Sequence, residues 1–353
     1  MVKFIKEHKI TALIACLLIA IDSFVILMAL TPSNKDITCP GGLNEVISVI
    51  DAETNTQLKG SFNTIYVYSI ERASILQTFV ADFADYNEIS DSSPSFHLSL
   101  EERRASGIVQ KNQSIEASII YAYRYANQND SNIKLNHKFS GLIVYNYQIN
   151  NELFKIGDII TSLYDKDLNK TFDYENNPNE LYQKLFYQEK EISVGDKITY
   201  LRGDIEITKE INKPFSYSEY ANRFYVYPKY EINHDSANPS YKLFDSTTYG
   251  PSGGFMQTLS IYSQITNKDY TYGKKIVGTG TMDAGGNVGI IGGISQKVAT
   301  AIFNKADVFF CPEANWKEGY ETYLKTPGHE KMHFIKVKVF EDAIESLRKL
   351  YEN

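Results

Sequence analysis

Cysteine is scarce: Cys16, Cys39 and Cys311 are the only three in 353 residues. Three irregularly spaced thiols build neither a disulfide framework nor a tetrahedral zinc site, and nothing in the sequence pairs Cys39 with Cys311. Tryptophan occurs once, and the 26 Tyr and 19 Phe suit core packing better than a base-stacking platform. No block of Lys and Arg interrupts a formal charge of −7, so the electrostatic footprint of a nucleic-acid partner is missing. The phosphate-cradling pattern G-x-x-x-x-G-K-[ST] is also missing, and no ATP-binding loop of that kind is expected. Gly-Thr-Gly-Thr at 278–281 lacks the third glycine of a dinucleotide fingerprint. Among six histidines only His329 and His333 have metal-like spacing, and a Pro-Gly turn precedes them where a helix would be needed. The expectation is therefore no metal and no cofactor.

The longest apolar run is 10–30, preceded by Lys3, Lys6 and Lys9. Twenty-one mostly apolar residues suffice for one helix across a ~30 Å hydrocarbon core, and the flanking lysines favour a cytoplasmic N-terminus at 1–9. Asp22 within the run is costly there, by ~3 kcal/mol. The rival reading is a cleaved signal peptide, but no small-x-small site follows the run. The rest of the chain is then expected outside the cytoplasm, anchored to the cell membrane.

Beyond the anchor, 31–137 reads as the N-terminal part of an extracytoplasmic α+β unit. A strand is expected at 62–68, a helix at 72–83, and a longer helix at 98–127 on which Ile108, Ile115, Ile119 and Tyr123 recur at helical spacing. Polar residues at 127–132 mark a boundary. Next come Gly141, Leu142, Ile143 and Val144, then an apolar stretch at 154–160 carrying Gly157-Asp158, a helical 180–186, and Gly195-Asp196 opening 195–200. This succession resembles a PDZ domain over 138–213. The resemblance implies that residues 141–144 form a loop whose N–H groups receive a peptide carboxylate while the peptide adds as a strand. The residues alone also fit a generic short-strand module whose Gly-Asp pairs are only turns.

The segment 214–353 alternates strands and helices: a strand at 223–232, edge-like because of Pro228, a helix at 254–265, a strand at 276–281, a helix at 295–304, strands at 308–310 and 332–339, and a terminal helix from 340. Within it Gly250-Pro251-Ser252-Gly253-Gly254 puts a serine between glycines at a helix start, with Lys297 about 45 residues on. A serine hydroxyl needs a base to attack near neutral pH, and a lysine can serve only when neutral, a state that burial favours. Ile290, Ile291, Ile294 and Val298 are candidates for an apolar pocket around Lys297. Gly253 and Gly254 would let a substrate carbonyl approach backbone N–H donors.

These residues, with Gly278-Thr279-Gly280-Thr281 and Gly289-Ile290-Ile291-Gly292-Gly293 between them, resemble the proteolytic domain of Lon-type proteases. Anchor, PDZ-like insert and proteolytic domain together resemble the membrane-anchored, PDZ-containing Lon-like proteases of Gram-positive bacteria. The resemblance implies an ATP-independent serine endopeptidase with Ser252 as nucleophile, Lys297 as base and Thr279 orienting the lysine. Its partners would be extracytoplasmic peptides or membrane and secreted proteins, and a homo-oligomer is compatible with it. Two other readings remain: a membrane-bound PDZ scaffold without activity, and an α/β-hydrolase using G-x-S-x-G with Asp307 and His329 or His333.

Overall fold

The computed structural model describes residues 8–54, 56–92, 98–147, 153–187, 192–214 and 224–352. Lys3 and Lys6, and the start of the strand expected from 223, lie outside them. The first helix, α1 (Lys9–Leu30), has 22 residues and buries none of them. At 1.5 Å per residue it is about 33 Å long, enough to cross a membrane and wholly unlike a core helix.

A six-stranded sheet begins immediately after it. Strand β1 (Pro32–Glu45) pairs antiparallel with β3 (Ser61–Ser74), while the short β2 (Ile50–Ala52) stands apart. The strand expected at 62–68 therefore runs on to Ser74, and the helix expected at 72–83 shrinks to α2 (Ile75–Ala81). The reason is local: Arg72 sits at φ +50° with its N–H on Asp36, and Ser74 and Gln77 form a reciprocal capping box. Strand β4 (Glu88–Asp91) completes that side of the sheet on β1. Helix α3 (Leu100–Asn127) starts at a second capping box, Ser99 with Glu102.

A second, wholly antiparallel sheet follows. It comprises β5 (Lys134–Tyr147), β6 (Ile159–Asp165), β7 (Lys170–Asp173), the helical turn α4 (Pro178–Tyr182), β8 (Lys197–Arg202), β9 (Ile205–Glu210) and β10 (Phe224–Asn238), in the order β10-β5-β6-β8-β9 with β7 on β6. Gly157 and Gly195 turn at φ +93° and +94°, as the Gly-Asp pairs suggest. Asp158 is 1% exposed and is held by Arg202 at 2.7 Å. Pro228 lies on the edge strand β10, where a missing N–H costs no ladder bond. The apolar cluster of this sheet also takes in Phe224 and Val226, so its packing reaches past residue 213.

The chain then returns to the first sheet. After β11 (Tyr241–Leu243), which pairs with β2, come α5 (Gly254–Ile265), β12 (Lys275–Gly278), β13 (Thr281–Met282), β14 (Val288–Gly289), α6 (Ile294–Phe303), β15 (Val308–Pro312), α7 (Trp316–Lys325), β16 (His333–Val337) and α8 (Phe340–Tyr351). The strand expected at 276–281 is interrupted: Gly280 turns at φ +153° and Thr281 joins the separate β13–β14 pair. Strand order is β16-β15-β12-β3-β1-β4, parallel from β16 to β3. Strand periodicity divides the side chains between two faces. Ile276, Val308 and Phe310 pack with α3, α5 and α8, whereas Val277, Phe309 and Cys311 pack with Ile294 and Val298 of α6. All twelve residues of α5 are buried, making it the central helix of the first layer. The fold mixes helices and strands, with one apolar helix at its N-terminal end. All three cysteines are free.

Candidate active site

Ser252 lies in the turn that delivers the chain into α5. Gly250 takes φ +85°, a conformation strained for any residue with a Cβ, and its N–H donates to Gly107 O of α3 at 3.0 Å. Two further bonds from α3 hold the turn: Ser114 Oγ donates to Pro251 O at 2.8 Å and Ser118 Oγ to Gly254 O at 2.8 Å. Lys111 Nζ donates to Ser246 O at 2.8 Å just upstream. Gly107, Lys111, Ser114 and Ser118 follow one another at spacings of four, three and four, one stripe of a helix. The opposite end of this anchoring is the second sheet. Tyr147 Oη bonds Glu102, Ser106 Oγ donates to Tyr145 O, and Lys229 of β10 pairs with Glu116.

The glycines beside the serine have different uses. A Cβ on Gly254 would lie 2.3 Å from Ser114 Oγ, so this glycine permits close packing on α3, and its own N–H donates to Pro251 O. Gly254 is thus not the carbonyl-approach position the sequence suggests. The N–H groups of Ser252 and Gly253 have no acceptor among the described residues and stand at the N-terminal end of α5, where the helix dipole favours negative charge.

Lys297 arrives from the other side of the sheet. Gly293 at φ +67° starts α6, and Lys297 lies one turn in, 3% exposed, between buried Ile294 and Val298. Ile290, in contrast, is 64% exposed and plays no part in that pocket. Burial pushes the Lys297 ammonium down from 10.5 to about 8. It forms no ion pair with a carboxylate among the described residues. Its Nζ donates to Thr279 Oγ1 at 3.1 Å, and that hydroxyl donates to Ser252 O at 3.1 Å. Gly280 N–H donates to the same carbonyl at 2.9 Å. Thr279, fully buried, follows the C-terminal end of β12, the rim where open parallel sheets place their sites.

Ser252 and Lys297 line one groove of about 1200 Å3. Its long wall is β3 from Thr64 to Arg72, whose β12-facing side has no strand partner beyond Asn63 among the described residues. Gln257, one turn into α5, also faces it with a buried Oε1 that has no hydrogen-bond partner among the described residues. Among the described residues the lining carries Arg72, Arg103, Arg104 and Lys111 against one carboxylate, Glu71, which pairs with Arg103.

Other sequence candidates fall elsewhere. Asp307 accepts Lys275 N–H, His329 Nδ1 meets Thr326 O, and His333 is on β16; none lines the groove, so the Asp-His reading has no constellation here. Gly141, Leu142, Ile143 and Val144 do not form an open loop. They lie within β5 between β10 and β6, and Val144 N–H already donates to Asp158 O. A peptide carboxylate cannot be received by N–H groups committed to ladders on both sides. Compared with known proteins, the chain matches no protein-family model and no curated protein.

Proposed function

We propose that the chain is an ATP-independent serine endopeptidase of the Lon-like kind, anchored in the cell membrane by α1 with its catalytic part outside the cytoplasm. The observation that carries this reading is Lys297: buried, without a counter-ion among the described residues and tied through one threonine hydroxyl to the serine's own carbonyl, it is a lysine arranged to be a base. Neutral Lys297 Nζ takes the proton of Ser252 Oγ as Oγ attacks the scissile carbonyl carbon. The N–H groups of Ser252 and Gly253 donate hydrogen bonds to the developing oxyanion. The lysine ammonium then gives its proton to the departing amine, leaving an acyl-serine. Water, deprotonated by the now neutral Lys297 Nζ, attacks the ester, and the lysine ammonium returns that proton to Ser252 Oγ as the acid product leaves.

The surplus of cations in the groove favours peptides with acidic side chains, and Gln257 Oε1 offers an acceptor for a substrate N–H. The antiparallel unit is assigned a part in choosing protein substrates, but not through residues 141–144. The test is mass analysis of a mixture of unstructured acidic and basic peptides incubated with the full chain in detergent. Internal cleavage, faster on acidic peptides and absent in Ser252→Ala, is the expected result. Equal cleavage by Ser252→Ala would remove the nucleophile assignment, and inertness of the wild type would favour a scaffold.

A further inference from the structure

Helix α2 and the residues after it present an apolar surface with no function in the site described above. Phe79 is 54% exposed, Val80 60% and Phe83 75%, with the Phe79 and Phe83 rings edge to face at 5.0 Å. From Ile75 to Ala81 there is no charged residue, and the first, Asp82, follows directly. Clustered aromatic and aliphatic side chains at such exposure call for a covering.

Its place in the fold indicates the covering. Thr31, the residue that ends α1, accepts the N–H of Ile75 through its carbonyl at 2.9 Å, and Pro32 pairs with Ser74 in the β1–β3 ladder. Helix α2 also packs against α1. The exposed face therefore begins at the level where the apolar span ends. We propose that α2 and Phe83 are seated in the headgroup boundary of the bilayer, a second lipid contact beside α1; this rests on reading α1 as a membrane span and not on the peptidase chemistry. A short apolar face holding Phe and Val at the end of a span has the composition of an interfacial element. The body of the protein is then held to the lipid surface at two points. The groove runs along β3 from Arg72, two residues before Ser74, to Thr64 next to Gly253, eight residues on and at most about 27 Å. Its far end faces the lipid.

The experiment uses the full chain in phosphatidylcholine vesicles, plain or brominated high in the acyl chains. The single native tryptophan, Trp316, stacks on Tyr320 near β16, at the opposite edge of the sheet from β4, and supplies the internal baseline. Phe79→Trp and, separately, Phe83→Trp each add one reporter, the second on an exposed turn that tolerates the change if the first does not fold. The added emission should fall at least twofold in brominated vesicles while that of Trp316 stays constant. Added emission that is equal in both vesicles, with the chain still membrane-bound, overturns the contact. Blue-shifted but unquenched emission with a dimeric mass also overturns it, in favour of a second copy covering the face. Release of a chain shortened by about thirty residues would instead overturn the span on which the proposal rests.

Discussion

Burial of Lys297 has a consequence for stability that can be separated from chemistry. The folded chain holds the amine at about 8 and the unfolded chain at 10.5. Below pH 8 the buried cation is a full penalty, and at ~1.4 kcal/mol per pH unit the gap corresponds to roughly 3 kcal/mol. Between pH 8 and 10.5 the unfolded chain binds the extra proton, so the penalty declines as pH rises. Lys297→Met keeps the length and apolar character of the side chain and removes the charge. It also loses the bond to Thr279 Oγ1, worth about 1 kcal/mol. The variant should therefore be more stable than wild type by roughly 2 kcal/mol at pH 7, with the advantage vanishing near pH 10. In a protein of this size that is a rise in Tm of several degrees, readable by thermal melts of the detergent-solubilised full chain. A less stable variant at pH 7, or the same gain at both pH values, would refute the argument that burial lowers the pKa of this lysine.

Gly254→Ala should lower Tm and reduce peptide cleavage, because its Cβ would meet Ser114 Oγ at 2.3 Å; overpacking of this sort costs about 1–3 kcal/mol. Adding Ser114→Gly should recover part of the stability, measured by the same melts. Thr279→Val preserves shape and removes the hydroxyl between Lys297 and Ser252 O, so kcat should fall on the order of 10- to 100-fold with KM little changed; a raised KM with kcat unchanged would mean that the threonine acts on binding.

Much of the site was legible because its backbone needs are written in glycine. Gly250 at φ +85° and Gly293 at φ +67° are turns that the sequence announces, and they deliver Ser252 and Lys297 to one groove. The contribution of α3 was not legible. Gly107, Lys111, Ser114 and Ser118 look like the solvated stripe of an amphipathic helix, and only contacts more than a hundred residues away in sequence give them their use. The run at 141–144 misleads for a related reason, since a short apolar stretch after glycine suits a loop or a buried central strand equally well. At α2 the signal was present: Ser74 and Gln77 spell a capping box, but the apolar pattern across 72–83 hides the two strand residues before it.

The central claim is that a neutral lysine activates Ser252, and the pH dependence of kcat/KM on an unstructured peptide tests it most directly. Below the lysine's pKa only the neutral fraction is active, so the account predicts a tenfold rise per pH unit that levels off at about pH 8, with Lys297→Arg inactive throughout. A midpoint near 6.5, the mark of a histidine base, or full activity in Lys297→Arg would contradict it.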